Sequence, residues 1–289
     1  MNIGGSKFYL PYERFEDLPE HSKNAFGAAR WFKAWTTDGV DPVVACNCFK
    51  QIPLNLVTDE LRKYAVYEFV RVLSLIEPSD TPAYKTLCLL AYRSSYRAAE
   101  FFKAEVRTTE VLELMIKDYS WSFLTSYQAF PWIAELVTPA LIEKASLASD
   151  TFMVSLPDDQ ISQTALNKHL GEGASTYSAL QKAGKLRFGV DFLKSGRWPE
   201  SDGTLDYPIP KPKGIEDAFC ALVQNDMEMP RALYMAYVMT YPIEDVMALV
   251  VSPATARPVI DMYSEKELRP HIKANRHLKA LMLEESLGL

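Results

Sequence analysis

The sequence predicts a mainly helical protein of irregular stacked helical hairpins, with a small β-hairpin and a C-terminal helical cap. Tyr (15) and Phe (14) each outnumber Gly (12), and glycine is the residue that tight β-turns consume. Hydrophobic residues make up 48% and charged residues 24% of the chain, the proportions of a folded globular protein. Apolar residues recur at helical spacing along most of the sequence.

Composition argues against several classes of partner. The net charge of −6 gives no global attraction for nucleic acid or anionic lipid. No apolar stretch reaches the roughly 18 residues that a membrane-spanning helix needs. The N-terminal residues lack the basic and apolar regions of a secretion signal, and no Asn begins an Asn-x-Ser/Thr sequon. We therefore expect a cytoplasmic protein that does not bind membranes.

The four cysteines are too few for a disulfide scaffold, and Cys46 and Cys48 are separated by one residue. Two thiolates so close together rarely bind one tetrahedral metal ion without further ligands. We expect reduced, partly buried thiols, and neither a metal nor a cofactor.

Two early helices stand out. Asp17 and Pro19 provide a cap and a first-turn proline for a helix that runs to about Trp35. A second cap-and-proline pair at Thr81-Pro82 begins a helix to about Phe102, which should be the longest and most central.

A short motif recurs along the chain. An apolar residue precedes Thr or Ser, and a leucine-centred helical run follows; the hydroxyl can accept orphan N–H groups of the first turn. It predicts helix starts at Val57-Thr58-Asp59-Glu60-Leu61, Thr108-Thr109-Glu110-Val111, Val137-Thr138-Pro139-Ala140-Leu141, Ile161-Ser162 and Tyr263-Ser264-Glu265-Lys266-Glu267-Leu268.

Proline-containing breaks at Phe130-Pro131-Trp132-Ile133 and Leu156-Pro157-Asp158-Asp159 separate these helices into short units. Over about residues 50–185 the pattern resembles leucine- and proline-punctuated helical repeats of unknown function, found in large DNA-virus, bacterial and protist proteins. The resemblance implies stacked helical hairpins. Because the starts are unequally spaced, we expect irregular hairpins and no regular solenoid.

A change of period after residue 185 predicts β-structure. Leu186, Phe188, Val190 and Phe192 alternate with polar residues or glycine, and a second alternation covers 205–209. Prolines 208, 210 and 212 then form a stiff connector. We predict a helical-hairpin body (1–195), a β-hairpin and proline-rich connector (196–214) and a small helical C-terminal domain (215–289).

The C-terminal domain should hold four helices. Three are predicted at about 215–224, 230–239 and 244–251, and the last runs from the capping motif at Ser264 to near Gly288, with a bend tolerated at Pro270.

The common catalytic motifs are absent. The chain has no HExxH, CxxC, GxSxG, phosphate-binding loop or dinucleotide fingerprint. The histidines, at 21, 169, 271 and 277, are scattered, and isolated histidines are more often surface or capping groups. Asp158-Asp159 could serve acid–base chemistry, but carboxylates before a helix also interact with its dipole. The sequence therefore favours a role other than catalysis.

Two surfaces are candidates for binding a partner. Six aromatic residues crowd fourteen positions and form either core or, if exposed, a protein-binding patch: Tyr119, Trp121, Phe123, Tyr127, Phe130 and Trp132. On a continuous terminal helix, Arg269, Lys273 and Arg276 would project within a narrow arc with His277 beside them. These groups could contact phosphate or an acidic partner, although a solvated face is the simpler interpretation.

These observations predict an interaction protein, an adaptor or an inhibitor of another macromolecule, that binds a protein partner through a helical surface. Nucleic-acid binding through the terminal helix is the first alternative. An unrecognised helical enzyme is the second, and it requires a pocket in which His169 or Asp158 meets a titratable partner.

Overall fold

The computed structural model describes residues 12–36, 40–78, 80–200, 209–224 and 228–287. These residues are mainly helical and contain no β-strand, so the predicted helical class is confirmed. Their contacts divide the chain into two compact units, residues 1–148 and 149–289. Among the described residues, no helix combines the length and the apolar character needed to cross a membrane.

Unit 1 contains seven described α-helices, joined by 3₁₀ turns at Phe15–Asp17, Glu20–Ser22, Leu54–Leu56, Val70–Leu75, Tyr96–Phe101 and Ala104–Val106. The α-helices are α1 (Ala25–Trp35), α2 (Pro42–Gln51), α3 (Asp59–Glu68), α4 (Thr81–Ser94), α5 (Thr109–Ala129), α6 (Pro131–Leu136) and α7 (Pro139–Ala148).

Unit 2 contains ten described α-helices and a 3₁₀ turn at Asp158–Gln160. The α-helices are α8 (Asp150–Ser155), α9 (Gln163–Glu172), α10 (Ser175–Lys182), α11 (Arg187–Lys194), α12 (Ile215–Gln224), α13 (Glu228–Val238), α14 (Ile243–Ala248), α15 (Pro253–Met262), α16 (Glu265–Ile272) and α17 (Arg276–Leu287).

All five helix starts predicted from the capping motif are confirmed. The hydroxyls of Thr58, Thr108 and Thr138 accept backbone N–H groups three residues further on, at 3.2, 3.3 and 3.3 Å. The Ser162 hydroxyl accepts the N–H of Ala165 at 3.3 Å. At α16, the Glu267 carboxylate accepts the backbone N–H of Ser264 at 2.8 Å. These bonds satisfy donors that a helix start otherwise leaves unpaired.

The predicted β-hairpin is wrong in its first strand, because residues 187–194 form α11. The structure buries a stripe at the three- and four-residue spacing of a helix, made of Leu186, Gly189, Val190 and Leu193. Leu186 and Val190 also fit the twofold alternation of a strand. Tertiary packing favours the helix, since the ring of Tyr177 lies against the face of Gly189. The second strand, 205–209, falls mostly outside the described residues.

Two early helices are shorter than predicted. The first α-helix begins at Ala25, because the Asn24 side chain accepts the N–H of Gly27 at 2.9 Å and caps it there. The helix predicted from Thr81 to Phe102 ends at Ser94, because Ser95 is extended and its hydroxyl accepts the N–H of Arg97 at 3.3 Å. A kink at the non-helical residue Tyr119 divides α5, so α4, with 14 residues, is the longest described helix without a kink.

The predicted terminal helix is two helices, α16 and α17. The Asn275 side-chain oxygen accepts the N–H groups of His277 at 3.0 Å and Leu278 at 3.2 Å, which makes Asn275 a new helix cap. Its side-chain amide also donates to the carbonyl of Val250 at 2.9 Å. The chain therefore breaks at Asn275 and not at Pro270, which α16 accommodates.

The packing of unit 1 converges on Phe32, a fully buried residue of α1. Its ring makes edge-to-face contacts with Phe49, Tyr64 and Phe69, with centroids 5.8, 6.3 and 6.3 Å away. These rings belong to α2, to α3 and to the residue that follows α3. Phe32 therefore links three segments that are consecutive in the chain.

In unit 2, α13 packs against α10, α11 and α12. Leu233, Met235 and Ala236 of α13 are fully buried, as is Tyr177 of α10. Helices on both sides of the predicted connector 196–214 thus pack together, while the predicted domain division itself stays a prediction.

Gly27 is a position where the fold depends on a missing side chain. A Cβ at this residue would lie 1.9 Å from the carbonyl oxygen of Ser22, and backbone cannot move aside as a side chain can. Gly171 of α9 has only an ordinary contact of 3.8 Å, with Phe192.

We expect Gly27→Ala to lower the free energy of unfolding by about 1–3 kcal/mol, the usual cost of overpacking. Gly171→Ala should leave it unchanged or raise it by up to about 1 kcal/mol, because alanine favours a helix. Urea unfolding followed by circular dichroism tests both, and an equally tolerated Gly27→Ala would contradict the close approach of α1 to Ser22.

Candidate functional site: a groove between α3 and α4

A groove of about 640 Å³ opens on unit 1 where α3 packs against α4. Its residues come from four consecutive parts of the chain: the end of α2, the turn before α3, the first two turns of α3, and the segment from Leu75 into α4. The Thr58 cap fixes the start of α3 beside it.

The floor of the groove is apolar. Val57, Ile76, Tyr84 and Leu87 line it and are buried, whereas Leu54 at its edge is 81% exposed. A ligand that covered the exposed leucine and the apolar floor would be stabilised by roughly 25 cal/mol for each Å² of apolar area removed from water.

The rim carries charges of both signs: Asp59, Arg62, Lys63, Glu77 and Asp80. Three of these five groups take part in ion pairs. Arg62 Nη1 lies 2.9 Å from Asp59 Oδ1, and Lys103 Nζ lies 2.7 Å from Glu77 Oε2. Lys63 and Asp80 have no ion-pair or hydrogen-bond partner for their side chains within the described part of the chain.

Tyr84 of the floor and Cys88, one turn further along α4, form a buried polar pair. The Tyr84 hydroxyl donates to the carbonyl oxygen of Phe101 at 3.4 Å and interacts with the Cys88 thiol one helical turn further on. Burial raises the pKa of Cys88 to about 12 and raises the pKa of Tyr84 as well. Both groups are therefore neutral near pH 7, and the bond from Tyr84 to Phe101 holds α4 against the turn at 96–101.

The aromatic cluster 119–132 is divided by the structure. Phe123 is fully buried, Tyr119, Tyr127, Phe130 and Trp132 are partly buried, and Trp121 is 72% exposed. The indole N–H of Trp132 donates to the carbonyl of Ala99 at 3.1 Å. The cluster is thus mostly core packing around the bend at Tyr119, and its role in binding a partner stays a prediction that rests on Trp121.

The predicted basic arc does not form on a single helix. Arg269 lies on α16, Lys273 follows it, and Arg276 and His277 begin α17. Arg269 is paired with Glu265 at 3.2 Å, and Arg276 Nε lies 3.3 Å from His277 Nε2. Their contact with phosphate or an acidic partner stays a prediction.

The candidate acid–base residues have structural partners. Asp158 contacts Arg187 and lies 3.5 Å from Lys185, and Lys185 also donates to the carbonyls of Val154, at 2.8 Å, and Leu156. This cluster joins the end of α8 to the start of α11. His169 Nδ1 lies 3.8 Å from Glu172 Oε2 on the same helix. Neither Asp158 nor His169 lines the groove.

All four cysteines are free thiols. Cys46, Cys48 and Cys88 are buried and Cys220 is exposed; burial also raises the pKa values of Cys46 and Cys48. In the described part of the chain, no three His, Cys, Asp or Glu side chains come together in a way that could hold a metal ion.

No sequence pattern indicated the groove. Its apolar residues are ordinary members of helical stripes, and its charges are ordinary for helix ends. The one available sequence signal was Leu54 itself, which lies between Pro53 and Asn55 in a short turn and so has no α-helical face on which to be buried.

Comparison with protein-family models, with curated proteins and with solved structures finds no match to this chain. The resemblance to punctuated helical repeats therefore stays a prediction, and function has to be inferred from the groove.

Thiol accessibility tests the burial around the groove. Alkylation of the native protein at pH 8 should modify Cys220 and leave Cys88 unmodified, since Cys88 is buried and its raised pKa leaves almost no thiolate. Mass spectrometry after digestion locates the adducts, and alkylation in denaturant, which should modify all four cysteines, is the control. Modification of native Cys88 at the rate of Cys220 would show that the floor of the groove is open.

Proposed function

We propose that this chain is a protein-interaction protein, an adaptor or inhibitor in the cytoplasm, whose groove between α3 and α4 accepts a segment of a partner polypeptide. The observation that carries the proposal is the combination of an apolar floor, an exposed Leu54 and a rim charged with both signs.

The size and chemistry of the groove support a polypeptide segment. Its volume, about 640 Å³, lies within the roughly 300–1,000 Å³ range of ligand-binding clefts. Anchor side chains of partner proteins fill such apolar pockets and contribute most of the binding energy, while a polar rim excludes water and sets orientation.

The charge pattern disfavours a nucleic acid at this site. A phosphate backbone needs a cluster of basic groups, whereas the rim holds three carboxylates, Asp59, Glu77 and Asp80, beside Arg62 and Lys63. Such a mixed rim suits a peptide, which carries both kinds of charge and apolar side chains close together.

Blocking the groove tests the proposal. Peptides selected from a displayed random library on the full chain should bind it saturably, and Thr86→Arg should weaken them at least tenfold by isothermal titration calorimetry. Thr86 lines the groove and is exposed, so a long side chain there obstructs the ligand without disturbing the core.

Thr125→Arg is the matched control. Thr125 is also an exposed threonine within a helix, on α5, and it does not line the groove. The same change of residue should leave affinity within twofold of the original protein. A selection that yields no saturable binder, or binders that both variants weaken equally, would contradict a groove-bound partner.

A further inference from the structure

We infer that the groove selects a bipolar segment: an apolar side chain with a carboxylate on one side, which meets Lys63, and a cationic group on the other, which meets Asp80. This inference rests on the proposed function and specifies the chemistry of the partner.

The first argument is the pairing of charges around the rim. Asp59 is neutralised by Arg62 and Glu77 by Lys103, at 2.9 and 2.7 Å. A ligand charge that approached either pair would be attracted by one member and repelled by the other. Lys63 and Asp80 have no such compensation among the described residues, so these two groups dominate the attraction that a ligand experiences at the rim.

The second argument is the conformation of Asp80. It occupies the N-cap position of α4, where an aspartate usually accepts the N–H of the second or third helical residue. Here its side chain makes no capping bond, and the second helical residue, Pro82, has no N–H to donate. Aspartate ordinarily caps a helix, but the carboxylate of Asp80 makes no capping bond. It therefore remains available to a ligand at the groove.

The third argument is the placement of the two groups. Lys63 lies on α3 and Asp80 directly precedes α4, and these two helices form the walls of the groove. A cation on one wall and an anion on the other favour one orientation of a bipolar ligand over the reverse. Segments of uniform charge would be repelled at one wall, which is how paired charges produce specificity.

Charge reversal on both partners tests the inference. The selected peptides should carry an acidic and a basic residue flanking an apolar one. Lys63→Glu and Asp80→Lys should each weaken these peptides by up to about fivefold, the upper end of what an exposed ion pair contributes. Peptides with the matching residue reversed should recover the loss, and both effects should shrink as salt is raised from 50 to 300 mM.

Two variants of α5 and one conservative variant are the controls. Lys117→Glu and Asp118→Lys make the same charge changes at exposed positions outside the groove and should alter affinity by less than twofold. Asp80→Asn keeps the shape and capping ability of the residue, so its weakening reports the charge alone. Urea unfolding of each variant shows whether the fold is retained.

The outcomes separate this inference from the proposed function. If peptides bind, Thr86→Arg blocks them, and the charge reversals have no effect, the groove binds polypeptides and the bipolar inference is wrong. If Thr86→Arg blocks nothing, the proposed function fails first. Concentration-dependent self-association of the protein that Thr86→Arg abolishes in sedimentation would also overturn the inference, because the occupant would then be a second copy of this chain.

Discussion

The edge-to-face contacts of Phe32 with Phe49, Tyr64 and Phe69 hold together the part of unit 1 that contains the groove. Phe49 belongs both to this cluster and to the lining of the groove. The position of Phe32 in turn depends on α1, which begins where Gly27 passes the backbone of Ser22 without room for a Cβ. The close approach of Gly27 to Ser22 thus positions α1, and α1 positions the buried ring of Phe32. The contacts of this ring in turn orient α2 and α3.

Short helices make side-chain caps important throughout the chain. Most α-helices here have about ten residues or fewer, a length at which an isolated helix is marginal in water. Each depends on burying one face and on satisfying its first N–H groups, as the hydroxyls of Thr58, Thr108 and Ser162 do. Asp80 differs from these residues because its carboxylate does not cap α4. Its charge is therefore available to a ligand.

The mixed rim connects stability to recognition. Exposed ion pairs such as Arg62–Asp59 contribute little to the stability of the fold, about 0–1 kcal/mol. The two charges of such a pair nevertheless neutralise each other, which weakens the electrostatic attraction of the pair for a charged ligand. On the proposed function, recognition falls to the groups without a partner and to the apolar floor. The Tyr84–Cys88 pair at that floor is buried and neutral near pH 7.

Local chemistry in the sequence by itself determined the helical class and the five helix starts that carry the capping motif, because a cap such as Thr58 or Ser162 acts on the three residues that follow it. Where a pattern fitted two periods, tertiary structure decided. Residues 186–193 alternate and also form a helical stripe, and the ring of Tyr177 against Gly189 accommodates the helix. Beyond the bend at Tyr119, Trp121 is exposed and Phe123, on the opposite face of the helix, is buried, and tertiary packing decided which of the two faces meets the core. The groove needed tertiary structure most, since segments from Phe49 to Leu87 form it jointly and the availability of Lys63 and Asp80 depends on which of their neighbours are already paired.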